Sequence, residues 1–202
     1  QNRLSGEFFH NIYSPHLQSM QEVRLEDNKL AGTIDGNTIM QMQNIETISL
    51  SQNDITGLIP GFQLGSLHKL KFLYLDKNNL VGPLPSQLAQ VGKSTLEEIW
   101  VQGNSLSGTV PSSYVRFDKL HDFFIDGNKL TGALPLQLCS AELNHDFFSS
   151  LPPDAERNYC EYVACPTGSF GKEGVYPCSV CPGGDAAKLE NPYLGLSECS
   201  NY

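Results

Sequence analysis

The first 138 residues contain no cysteine, so that part must hold together by packing alone. All six cysteines, Cys139, Cys160, Cys165, Cys178, Cys181 and Cys199, crowd into the last third. An even number in one short segment points to a disulfide framework in an oxidising compartment. Charge is scarce too, at 17 % of the 202 residues, and the net charge is −9. That balance argues against a nucleic-acid partner, whose phosphates need clustered cations, and against docking on an anionic membrane. No run approaches the ~20 apolar residues of a bilayer span, so direct membrane insertion is not expected. No signal peptide opens the sequence, and Gln1 falls in the middle of a pattern, which leads us to expect a processed or incomplete chain. There is no N-x-[ST] sequon. That keeps an organelle lumen open as the alternative to an extracellular or secretory-pathway location.

Signs of catalysis are equally thin. His10, His16, His68, His121 and His145 are scattered and form no set with an acid and a nucleophile, so solvated turns are expected for them. No glycine-rich phosphate cradle is present. Asp126-Gly127-Asn128 opens like a calcium loop, but the twelfth position is Gln137 rather than glutamate. We therefore expect no enzyme, no cofactor and no bound metal.

What the chain has is a period. Leu17, Met20, Val23, Leu25, Asn28, Leu30, Gly32 and Ile34 form one series. It recurs at Met42, Ile45, Ile48, Leu50, Asn53, Ile55, Gly57, Ile59 and Pro60, 25 residues on. Further copies are centred on Asn78, Asn104 and Asn128, and Asn2, Leu4, Gly6 and Phe8 are the second half of a copy without its first. Asp35 stands where later copies have proline, a polar run occupies Gln41 to Asn44, and Gln90 to Thr95 carries one extra residue. The pattern resembles L-x-x-L-x-x-L-x-L-x-x-N-x-L-x-G-x-I-P, the plant-type leucine-rich repeat, over roughly two thirds of the chain.

That resemblance implies an α/β solenoid: a right-handed coil with a parallel concave sheet, and mostly loops and 3₁₀ turns on the convex side. Residues 1–138 would be the solenoid, with one partial and five full repeats and no N-terminal cap. Each x-L-x-L-x segment reads as a short strand, near 22–26, 47–51, 72–76, 98–102 and 122–126, with its leucines inward. A short helix is expected around Ser86 to Val91. Asn28, Asn53, Asn78, Asn104 and Asn128 should form an inward ladder bonded to backbone of adjacent coils. Glycine at L-x-G permits a bend that a β-carbon hinders. The sheet edge at Val23 would lie open, calling for upstream residues or a partner chain there.

Residues 139–202 carry 3 basic against 9 acidic side chains, a chemistry unlike the 10 and 13 of the repeats. Cys160 to Phe170 and Cys178-Ser-Val-Cys181-Pro-Gly-Gly have a C-P-x-G-[ST]-F plus C-x-x-C-P form. It resembles the cysteine modules of ephrin-type receptors and the C-terminal caps of diatom-type repeat proteins. We read it as a disulfide-bonded cap over the last coil. Six cysteines allow 15 pairings, of which we favour Cys139 with Cys160 and the other four among themselves. Zinc at Cys160, Cys165, Cys178 and Cys181 would leave two cysteines over and lacks paired short spacings. A redox motif at Cys178 and Cys181 lacks a βαβ setting.

The residues between the inward leucines should face the concave side in three columns. One runs Glu22, Thr47, Phe72, Glu98, Asp122; the next Arg24, Ser49, Tyr74, Trp100, Phe124; the third Glu26, Ser51, Asp76, Gln102, Asp126. Phe72, Tyr74, Trp100 and Phe124 should then form an exposed aromatic patch ringed by Asp76, Glu98, Asp122 and Asp126. Such a patch marks an interaction site, and an acidic rim suits a cationic or peptide ligand or a stacked sugar. The expectation is a non-catalytic recognition module, similar to plant receptor ectodomains and inhibitor proteins, for a protein, peptide or glycan. The alternative is an accessory subunit of a larger extracellular or lumenal assembly.

Overall fold

The computed structural model of the chain describes residues 4–7, 13–89, 95–135, 138, 169–170, 179–180 and 194. In chain order the strands of the coil are β1 (Ser5–Glu7), β2 (Glu22–Arg24), β3 (Lys29–Thr33), β4 (Thr47–Ser49), β5 (Asp54–Gly57) and β6 (Phe72–Tyr74). They continue as β7 (Asn79–Pro83), β8 (Glu98–Trp100), β9 (Ser105–Gly108), β10 (Asp122–Phe124) and β11 (Lys129–Leu130). Short helices α1 (Gly36–Gln41) and α2 (Gly61–Gly65) and 3₁₀ turns at Pro15–Ser19, Ser86–Ala89 and Ser112–Arg116 complete the turns of the coil. None of the described helices is long and apolar enough to cross a membrane.

The five concave strands pair in parallel in the order β10-β8-β6-β4-β2. Their register is the repeat itself: Glu22 faces Thr47, Thr47 faces Phe72, Phe72 faces Glu98 and Glu98 faces Asp122. Each strand starts where the leucine spacing puts it and is three residues long. The inward positions stack in rungs. Ile48, Leu73, Ile99 and Phe123 form one rung and Leu50, Leu75, Val101 and Ile125 the next, each side chain at most 1 % exposed. No coil buries its own apolar face, so each rung is completed by its neighbours. Leu25, in the first full coil, is only partly buried.

A second parallel sheet was not anticipated. Six strands, β1-β3-β5-β7-β9-β11, run down the flank of the coil through the N-x-L-x-G segments. The half-repeat at the N-terminal end supplies its first strand, with Gly6 opposite Leu30. The convex side also holds two short α-helices beside its 3₁₀ turns, and the helix expected at Ser86 is itself a 3₁₀ turn over Ser86–Ala89. Asp35 explains its departure from proline. Its carboxylate caps α1, accepting from the amides of Asn37 at 3.2 Å and Thr38 at 3.0 Å. The insertion at 90–94 lies outside the described residues.

The asparagine ladder joins coil to coil. The Asn78 amide donates to Leu50 O of the preceding coil at 2.9 Å and to Leu75 O and Asp76 O of its own. Its carbonyl accepts from Ile55 N at 3.0 Å. Asn53, Asn104 and Asn128 repeat this geometry, each at most 8 % exposed. Asn28 accepts from Leu4 N but donates only within its own coil, and is half-buried.

Backbone geometry between strand and asparagine is also periodic. Asp27, Gln52, Lys77, Gly103 and Gly127 occupy one position of the repeat, all at φ between 51° and 65°. A β-carbon there costs about 1–2 kcal/mol, against roughly 0.5–1 kcal/mol of extra entropy lost by glycine on folding. Lys77→Gly, at an exposed site, is therefore expected to stabilise the protein by about 0.5–1 kcal/mol in urea denaturation. A loss of stability would mean that the lysine side chain contributes contacts worth more than the strain. The glycine of L-x-G likewise sits at positive φ in every coil, from 80° at Gly82 to 99° at Gly6.

At the far end, Leu138 and Leu194 join the hydrophobic core, and Leu194 N donates to Leu130 O at 2.7 Å. A residue from the cysteine-rich segment thus lies over the last coil. In that segment Ser169–Phe170 and Ser179–Val180 form an antiparallel pair. The six cysteines, and with them the expected disulfides, lie outside the described residues.

Candidate functional site

The three concave columns stand as the repeat dictates, because parallel pairing without slip keeps every outward position on one face. Heights within them differ, and that changes the patch. Phe72, Tyr74 and Trp100 are half-buried, whereas Phe124 is buried at 8 % exposure. The rings pack on one another: Tyr74 meets Trp100 edge-on at 4.8 Å and Trp100 meets Phe124 at 5.5 Å. Phe72 stacks on Tyr74 at 6.3 Å. The expected four-ring exposed patch is therefore a three-ring ridge that ends on a buried phenylalanine. Next to it Thr47, Ser49 and Ser51 are buried between taller neighbours on both sides, leaving a step in the surface.

The acidic rim needs the same correction. Glu98 and Asp126 are half-buried, but Asp76 and Asp122 are 5 % and 6 % exposed. A carboxylate so placed must be hydrogen-bonded. Asp76 accepts from the Ser51 hydroxyl of the neighbouring coil. Asp122 lies 3.0 Å from His121 Nδ1. Glu98 accepts from the Tyr74 hydroxyl at 2.8 Å. Burial first, and then the Glu98 carboxylate, push the Tyr74 hydroxyl well above the ordinary phenol range. The phenol stays protonated and locks the ridge to the rim.

Two side-chain oxygens in the third column, Glu26 Oε2 and Gln102 Oε1, are buried and meet no hydrogen-bond donor among the described residues. At the rim, Lys71 reaches Glu46 at 2.7 Å, and its hydrogen bond holds the Glu46 carboxyl below its ordinary range. Both groups are exposed enough for solvent to screen the pair.

Sequence reasoning missed His121. It occupies the position before the strand, where His121 N and Asp122 N both donate to Glu97 O. Its ring turns back to Asp122, so that Glu98, His121 and Asp122 offer ligand atoms within 4.8 Å of one another. The signal available was the strand register, which makes Glu98 and Asp122 neighbours; the turn of the imidazole was not legible. Of the other histidines, His16 sits exposed in the first 3₁₀ turn and His68 exposed in a connection, while His10 and His145 lie outside the described residues.

Comparison with known proteins agrees with this architecture. Residues 18–80 match the family model for the leucine-rich repeat. The structure of PEPR1 with AtPEP1 is 34 % identical, with a TM-score of 0.62 over 71 % of this chain and 19 % of its own. The Arabidopsis receptor kinase HAESA, solved with the peptide hormone IDA and the co-receptor SERK1, is 30 % identical, with a TM-score of 0.59 over 65 % of this chain and 21 % of its own. A plant ice-binding protein is 25 % identical, with a TM-score of 0.58 over 67 % of this chain and 42 % of its own. The chain thus spans about a fifth of the two receptor chains. No curated protein matches the sequence. Residues 18–80 are leucine-rich repeats, and the chain has the leucine-rich-repeat fold in the form seen in plant receptor ectodomains.

Proposed function

We propose that this chain is a non-catalytic recognition module that binds a basic peptide or protein segment along its concave face, in an extracellular or lumenal compartment. The observation that carries the reading is the ridge of Phe72, Tyr74 and Trp100, half-open to solvent, with the half-buried carboxylates of Glu98 and Asp126 on the same face. An aromatic ridge supplies apolar area and ring faces for a cation, and flanking carboxylates select positive charge. Glu26 Oε2 and Gln102 Oε1 add shielded acceptors that a donor-rich ligand would satisfy. A related solenoid, HAESA, was solved with a peptide hormone, which supports a peptide over a sugar.

The test is selection from a displayed peptide library, followed by titration of the winners. Enrichment of Lys- and Arg-containing peptides is expected, with affinity falling as salt rises. Trp100→Ala should weaken that binding by about 2 kcal/mol or more, roughly 30-fold, with the melting temperature little changed. Selection of acidic or purely neutral peptides, or equal affinity for the Trp100 variant, would refute the reading.

A further inference from the structure

We propose that Glu98, His121 and Asp122 form a binding site for a divalent transition-metal ion of the zinc class on the concave rim. The two carboxylates are register partners on adjacent strands, so they stand side by side without any loop to position them. The imidazole comes from the residue that precedes the same strand, held by its amide bond to Glu97 O at 2.9 Å. One ligand atom from each residue lies within 4.8 Å of the other two. Around an ion with ligand distances near 2.1 Å, tetrahedral ligand atoms are roughly 3.4 Å apart, so small rotamer shifts of Glu98 and the exposed His121 suffice.

The donor set selects the metal. An imidazole with two carboxylates suits zinc and its neighbours, while calcium demands six to eight oxygens and magnesium keeps most of its water. Three protein ligands leave one position of a tetrahedral ion open. The site shares Glu98 and Asp122 with the acidic rim of the concave face, but an ion can be held there with no peptide bound.

Trp100 is the single tryptophan and lies against Tyr74, whose hydroxyl is bonded to Glu98. It therefore reports on Glu98. The experiment is a titration of the metal-free, non-reduced protein with zinc chloride, followed by calorimetry and tryptophan fluorescence. One saturable zinc site in the micromolar range or tighter is expected, with a fluorescence change at the same midpoint and no response to calcium or magnesium. His121→Ala and Glu98→Gln, both at positions open enough to leave the fold intact, should each weaken that site by at least about tenfold and abolish the fluorescence response. Absence of saturable uptake overturns the proposal. So does uptake that both variants leave unchanged, which would place zinc at the cysteines or at other histidines.

Discussion

Asn78→Ala is expected to destabilise the protein by about 3–5 kcal/mol, the largest effect of any polar substitution in the coil. The asparagine is 8 % exposed and donates to the carbonyls of Leu50, Leu75 and Asp76 while accepting from Ile55 N. Alanine removes all of these at once. Each lost buried partner costs on the order of 1–3 kcal/mol. The bonds to Leu50 and Ile55 cross between coils, so the damage falls on the stacking that holds a solenoid together. Urea denaturation measures the loss. Asn78→Asp should give no rescue, because it keeps an acceptor, deletes the donors and buries a charge. Asn28→Ala should cost clearly less, since that residue is half-buried and donates only within its own coil. Equal losses at the two positions would show that coil-to-coil bonding is not the source of the effect.

The second large effect is expected at the last coil. Leu194→Ala should cost about 2–5 kcal/mol, the usual range for a leucine truncated in a packed core. Leu194 is 2 % exposed, although the rest of the core among the described residues comes from residues 17–138. Its amide donates to Leu130 O, the outer side of the last strand of the flanking sheet. Solenoids need their ends covered, and among the described residues Leu194 meets the edge of the last coil at Leu130. Hydrogen exchange locates the effect: protection should fall first at Leu130 and Thr131. Leu58→Ala, at a convex leucine 61 % exposed, is the control and should stay within about 0.5 kcal/mol of wild type. An unchanged midpoint for Leu194→Ala would mean that the tail covers the core without stabilising it.

These two substitutions differ in how far the sequence foretells them. Asn78 was legible from its spacing, since a polar residue recurring between inward leucines has nowhere to turn except toward backbone. Nothing around Leu194 marks it as core. It lies outside the repeat, in a segment read only through its cysteines. The concave columns were legible for the same reason as the asparagines. Their burial was not: Asp76, Asp122 and Phe124 occupy the outward positions assigned to them, yet neighbours one coil away stand tall enough to cover them.

Periodicity by itself determined the start of every concave strand, the inward rungs, the ladder and the identity of the outward residues. All of these follow from one local rule repeated five times. Tertiary structure alone decided the flanking sheet, because N-x-L-x-G has little strand propensity and pairs only once stacking aligns it with the next coil. It also decided the turn of His121 onto Asp122. A further case is Gly65, where a β-carbon would meet Gln87 O at 2.5 Å in the neighbouring coil. Such contacts join residues about one repeat apart, and their geometry depends on how far one coil advances over the last, a distance that no single repeat encodes.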